Sequence, residues 1–89
     1  MSVRLDLEQV RVVKMAYEAD LMRKANVVGV GIGLQQQGGK ATGELAIVVS
    51  VTRKVPLSQL APGDVIPREL EQIPVDVQAV GELRALHSR

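Results

Sequence analysis

Few side chains in this 89-residue sequence are of types suited to bond-making. There is one histidine, His87, and there is no cysteine. A Ser/His/Asp triad needs its histidine held rigidly by a packed carboxylate. His87 stands instead in a polar stretch near the end of the sequence, where a histidine is ordinarily a solvated bystander. Asp64 and Glu69 flank a proline-rich turn, and Asp76 and Glu82 flank the last apolar run. Carboxylates so scattered read as solubilising groups rather than acid/base pairs, and they offer no clustered ligand set for a metal. The sequence therefore predicts no catalytic residue, no metal site and no cofactor.

The stretch that stands out is Asn26-Val27-Val28-Gly29-Val30-Gly31-Ile32-Gly33-Leu34. A phosphate cradle would need its glycines in a turn that opens a helix, so that the helix N-terminus meets the anion. Here Gly29, Gly31 and Gly33 alternate with apolar residues at a period of two, the side-chain period of a strand. Val28, Val30, Ile32 and Leu34 are expected on one face, and the three glycines leave the other nearly bare. A bare face admits close approach by another backbone. Its neighbours would be Ala16 and Ala19 if the helix lies there, and otherwise a partner. Gln37-Gly38-Gly39-Lys40-Ala41-Thr42-Gly43 sets a lysine among glycines without the spacing of a nucleotide loop, and is read as a hairpin connection.

The elements that position these residues follow from periodicity. Asp6 and Gln9 form a capping-box pair, with Leu5 and Val10 at the staple positions. Val10, Val13, Tyr17 and Leu21 continue at helical spacing beside a smaller ridge of Val12, Ala16 and Ala19. Arg23 and Lys24 suit the final turn, and Asn26 is a stop, so a helix is predicted over about 6–25. Met15 and Met22 fall near its polar side, as peripheral packing under a loop or as a soft contact surface for a partner. Strands are predicted over about 27–36, 44–53 and 73–80. Pro56, Pro62, Gly63 and Pro67 break the stretch between the last two, and Pro67–Glu71 reads as one helical turn. That connector is long enough for a crossover. A polar tail occupies 82–89.

The expected fold is a single α+β domain over 1–89. It is a two-layer sandwich of one long N-terminal helix on a small mixed three-stranded sheet, a β-hairpin plus a crossover strand. A chain of this length buries only about 60% of its unfolded surface, so the core is small. Eleven basic and ten acidic residues leave a net charge of +1, with no basic block to follow a phosphate backbone. Tyr17 is the sole aromatic residue, too few for base stacking, so nucleic acid is not an expected partner. No apolar run reaches the roughly 20 residues that span a bilayer, and the opening residues lack a signal peptide's apolar core. A cytoplasmic protein without membrane contact is expected.

Several segments together resemble a known family. They are Asn26–Gly33, Thr42-Gly43-Glu44-Leu45-Ala46-Ile47-Val48-Val49, Arg53-Lys54, Ile66-Pro67-Arg68-Glu69-Leu70, and Ile73-Pro74-Val75-Asp76-Val77-Gln78-Ala79-Val80-Gly81. In this order they look like the segment that precedes the catalytic domain in a group of bacterial trypsin-like serine peptidases and related uncharacterised proteins. The resemblance spans about residues 26–81. It implies a non-catalytic N-terminal module, prodomain-like or regulatory, that acts by contact with a trypsin-like domain. The family's His, Asp and Ser would follow the stretch corresponding to Val80-Gly81, so no triad residue carries over. The alternative is a standalone structural module that self-associates into a homo-oligomer through an edge strand or the helix. A third reading, small-molecule or nucleotide binding, finds no phosphate loop to support it. For either contact reading the candidate surface is Gly29, Gly31, Gly33, Met15 and Met22.

Overall fold

A computed structural model describes residues 6–80 of the chain. The helix α1 runs Leu7–Met22. Asp6 caps it with an extended backbone, its Oδ1 accepting the Gln9 N–H at 2.8 Å, while Gln9 Oε1 accepts the Asp6 N–H at 3.3 Å. The capping box is thus formed as its residue types dictate. Leu5, the other half of the staple, lies outside the described residues, as do His87, Glu82 and the 82–89 tail. The helix stops three residues short of the expected end. Arg23 is its C-cap, residues 24–26 form turns, and Asn26 takes φ 70°, the left-handed conformation that asparagine tolerates best after glycine.

The strand β1 spans Val27–Gln37 and β2 spans Lys40–Val51. They pair antiparallel through a connection far shorter than the seven-residue loop expected. Gln37 faces Lys40, and Gly38 and Gly39 make the whole turn at φ 59° and 82°. Positive φ at both central positions matches the twist of a two-residue hairpin, and glycine adopts it without steric cost. Residues 41–43, assigned to the loop by their polarity, therefore lie in β2. At its other end β2 stops at Val51 rather than Arg53.

Beyond β2 the chain makes two short 3-10 turns, Leu57–Gln59 and Pro62–Asp64. It then forms β3, Glu69–Leu70, and β4, Ile73–Ala79. The segment Pro67–Glu71 is thus not a helical turn; it holds a two-residue strand pairing antiparallel with β4. The sheet has four strands, in the order β1-β2-β4-β3, and β2 and β4 run parallel, so it is mixed. The β3–β4 turn, Glu71-Gln72, has φ 49° and 71° without a glycine.

The core forms where α1 lies on one face of this sheet. Val10, Val13 and Leu21 meet Ile47, Val49, Val51, Ile73 and Val75, with Tyr17, Val30, Ile32 and Val77 packed at the margin. Ile47, Val10, Val49, Leu21 and Ile73 are essentially fully buried. Each such side chain contributes roughly 1.5–3 kcal/mol by leaving water. Among the described residues no helix is long and apolar enough to cross a membrane.

Two substitutions test this account in urea denaturation. Ile47→Ala empties the centre of this core and should lower stability by about 2–5 kcal/mol. Gln72→Gly removes a Cβ from a left-handed position and should raise stability by about 1 kcal/mol; a loss there would show that the turn is not strained.

Candidate functional site

Strand register decides which residues share each face. Gly29, Gly31 and Gly33 stand opposite Ser50, Val48 and Ala46 on β2. On the far side of β2, Asp76 and Gln78 stand beside Val48 and Ser50. These residues form the face opposite the core, because Val30, Ile32, Ile47 and Val49 alternate with them and pack toward α1. The helix therefore does not cover the glycines. Ala16 and Ala19, offered by the sequence as their neighbours, are exposed on the outer side of α1.

The glycines differ in the space around them. A Cβ at Gly31 would meet nothing within 4 Å, and one at Gly29 would touch Ser50 Cβ at an ordinary 3.7 Å. Only Gly33 is crowded, with Val48 Cγ2 3.2 Å from the Cβ position. Close packing within the chain thus explains Gly33 alone. Asp76 gives this face its polar centre. Its Oδ2 accepts the Gln36 N–H at 3.1 Å and Gln78 Nε2–H at 3.0 Å. The first of these bonds requires the outer part of the hairpin to bend toward β4. The register irregularity between Leu34 and Gln36, opposite Gly43 at φ 89°, supplies the bend.

A second irregularity lies between Val27 and Gly29, where two steps along β1 match one along β2. Val27 consequently packs against the core. Val28, expected to share a face with Val30, is turned out and 40% exposed. Alternation along the sequence could not reveal this, since one inserted residue inverts the pattern on one side of it.

The outer side of α1 carries the other candidate surface. Val12, Met15 and Met22 are 58%, 68% and 43% exposed, and no loop among the described residues covers the methionines. With Ala16 and Ala19 they recur at steps of three and one, so they lie in one stripe roughly opposite Val10, Val13, Tyr17 and Leu21. The sequence sets the methionines near the polar side, away from the main apolar ridge; on the folded helix they form one strip with Val12, Ala16 and Ala19. Its rims hold exposed ion pairs, Arg11–Glu8 and Arg23–Asp20, each at 3.7 Å. Such pairs add little stability in water. Met15 and Met22 thus sit on the helix side of the molecule and the three glycines on the sheet's other face, so they form two surfaces rather than one.

Of the carboxylates singled out by the sequence, Asp76 and Asp64 tie local structure together. Asp64 Oδ1 accepts the Ala25 N–H at 3.0 Å and ties the crossover to the end of the helix. Glu69 is exposed on β3. Sequence reasoning passed over Glu71, whose Oε2 accepts the Tyr17 hydroxyl at 3.0 Å, so that the sole aromatic clasps the β3–β4 turn. The Tyr17 phenol is raised above its ordinary pKa, first by this hydrogen bond and then by the charge of Glu71, with smaller contributions from burial and Asp20. Among the described residues no three His, Asp or Glu side chains gather to hold a metal ion. No family model matches the chain, and no curated protein matches it significantly.

Gly31→Ala should stabilise the protein by about 0.5–1 kcal/mol, the usual gain for replacing a mid-strand glycine at an open position. Gly33→Ala should gain less, because Val48 must give way; equal gains would show that the face is uniformly open. Tyr17→Phe should cost stability at neutral pH. A raised phenol pKa favours the protonated fold, so that contribution is complete below about pH 10 and disappears as the pH rises through the folded-state value. Melts of both proteins from pH 7 to 11 should therefore converge at the alkaline end.

Proposed function

We propose that this chain is a non-catalytic contact module, and that its partner is a trypsin-like serine peptidase domain which it covers or positions. The observation that carries the reading is the apolar stripe Val12, Met15, Ala16, Ala19 and Met22 on the outside of α1, left open by the described residues. A helix apolar on both sides has a second face to bury. Methionines suit that face for contact, since their flexible thioethers fill irregular gaps in a partner. The resemblance of residues 26–81 to the segment ahead of trypsin-like catalytic domains supplies the partner class. In this reading the chain brings no chemistry of its own, and it acts in the cytoplasm.

A second reading, self-association, is favoured by a different observation. The strand β1 is one of the sheet's two outer strands, paired among the described residues with β2 alone, and Val27–Leu34 holds neither a charge nor a proline. Natural sheet edges are normally guarded by such residues. A second copy adds its β1 there, while the open space at Gly31 lets a backbone approach.

Calorimetric titration with a trypsin-like domain encoded beside this chain should give saturable heat, and Met15→Glu should abolish it while leaving the melting curve intact. Titration without heat rejects the peptidase reading. Sedimentation across a wide concentration range tests the second: Gly31→Lys, at an open position, should turn an associating protein monomeric. A wild type that is monomeric throughout excludes the homo-oligomer.

A further inference from the structure

The crossover between β2 and β3 frames a half-open pocket of about 360 Å³ against the end of α1. Ligand pockets generally occupy roughly 300–1,000 Å³, are mainly apolar, and hold a few convergent polar groups. This one has Val51, Val77, Ile66, Leu57 and Leu60 among its walls, and three cations, Arg53, Lys54 and Arg68, join them. None of the three forms an ion pair with a described carboxylate. The one acid lining the pocket, Asp64, is engaged with the Ala25 N–H. Three cations against one acid is a local excess in a chain whose net charge is only +1.

We propose that this pocket binds a small amphiphile: an anionic head, carboxylate or phosphate, on a short apolar tail. The head sits among Arg53, Lys54 and Arg68, where a guanidinium can give two parallel hydrogen bonds to two oxygens. The tail lies along Val51, Val77 and Ile66. No aromatic side chain lines the pocket, so a nucleobase would find no stacking surface. None of the lining residues belongs to the α1 stripe or to the glycine face, so the site is independent of the contact readings.

Amide chemical shifts of the full-length protein, followed during titration, test this directly. Octanoate and octyl phosphate should each give saturable shifts at residues 51–55, 64–66, 68 and 77; which binds tighter identifies the head group. Octanol, with the tail alone, and acetate, with the head alone, should each bind at least about tenfold more weakly, the loss expected when a charge-assisted contact or the buried tail is removed. Arg53→Gln combined with Arg68→Gln should weaken octanoate by at least about the same factor, its unchanged melting curve showing that the fold persists. Equal binding of octanol, shifts elsewhere in the protein, or undiminished binding by the double variant would each overturn the proposal. So would binding to phosphatidylglycerol vesicles with no response to either soluble amphiphile, which would make the cluster a membrane-facing patch.

Discussion

The alternation of side chains along β2 organises the molecule. Ile47, Val49 and Val51 point to α1 and supply the centre of the core, while Ala46, Val48 and Ser50 point the other way. The same strand pairs antiparallel with β1 on one edge and parallel with β4 on the other. Its register therefore sets both neighbours. A slip of one residue would carry the buried valines to the opposite face and remove the surface on which the helix packs. One helix can cover only one side of a sheet, and α1 leaves the opposite side, with its glycines, uncovered.

Parallel pairing has a structural consequence. A strand that must return beside its predecessor in the same direction needs a long connection, and here the connection is irregular because its prolines forbid a helix. It is held by a few polar ties: Asp64 to the Ala25 N–H, Lys24 Nζ to the Gly63 carbonyl at 2.8 Å, and the Val75 N–H to the Arg68 carbonyl at 2.9 Å. The pocket and its three cations exist only because this loop stands over the end of the sheet. The β3–β4 turn is the other tension point. Glu71 and Gln72 adopt a left-handed path without glycine, and Tyr17 grips Glu71 from the helix. By contrast the β1–β2 turn has the same handedness with two glycines and needs no clasp.

Much of this was legible before folding. The capping box at Asp6, the apolar spacing of Val10, Val13, Tyr17 and Leu21, and the alternation in β1, β2 and β4 are local patterns, and local patterns report local structure. Where the reading failed, distant partners decided. Residues 41–43 joined β2 because Gly38 and Gly39 close the hairpin so tightly, and Glu69–Leu70 became strand because β4 offered them a ladder. Val28 left the core because a bulge moved Val27 into its place. The two methionines stand out in the sequence, but whether a loop covers them depends on where the crossover runs.

The residue order by itself determined the kinds of element and their sequence along the chain, since capping, helical spacing, strand alternation and turn chemistry act over a few neighbouring residues. Only the tertiary structure decided which side of the sheet the helix occupies, that α1 does not cover the glycines, and that Arg53, Lys54 and Arg68 meet at one pocket. Those outcomes depend on contacts between residues far apart in the chain, where a bulge, a two-residue turn or a parallel register changes the neighbours without leaving a mark in any short stretch.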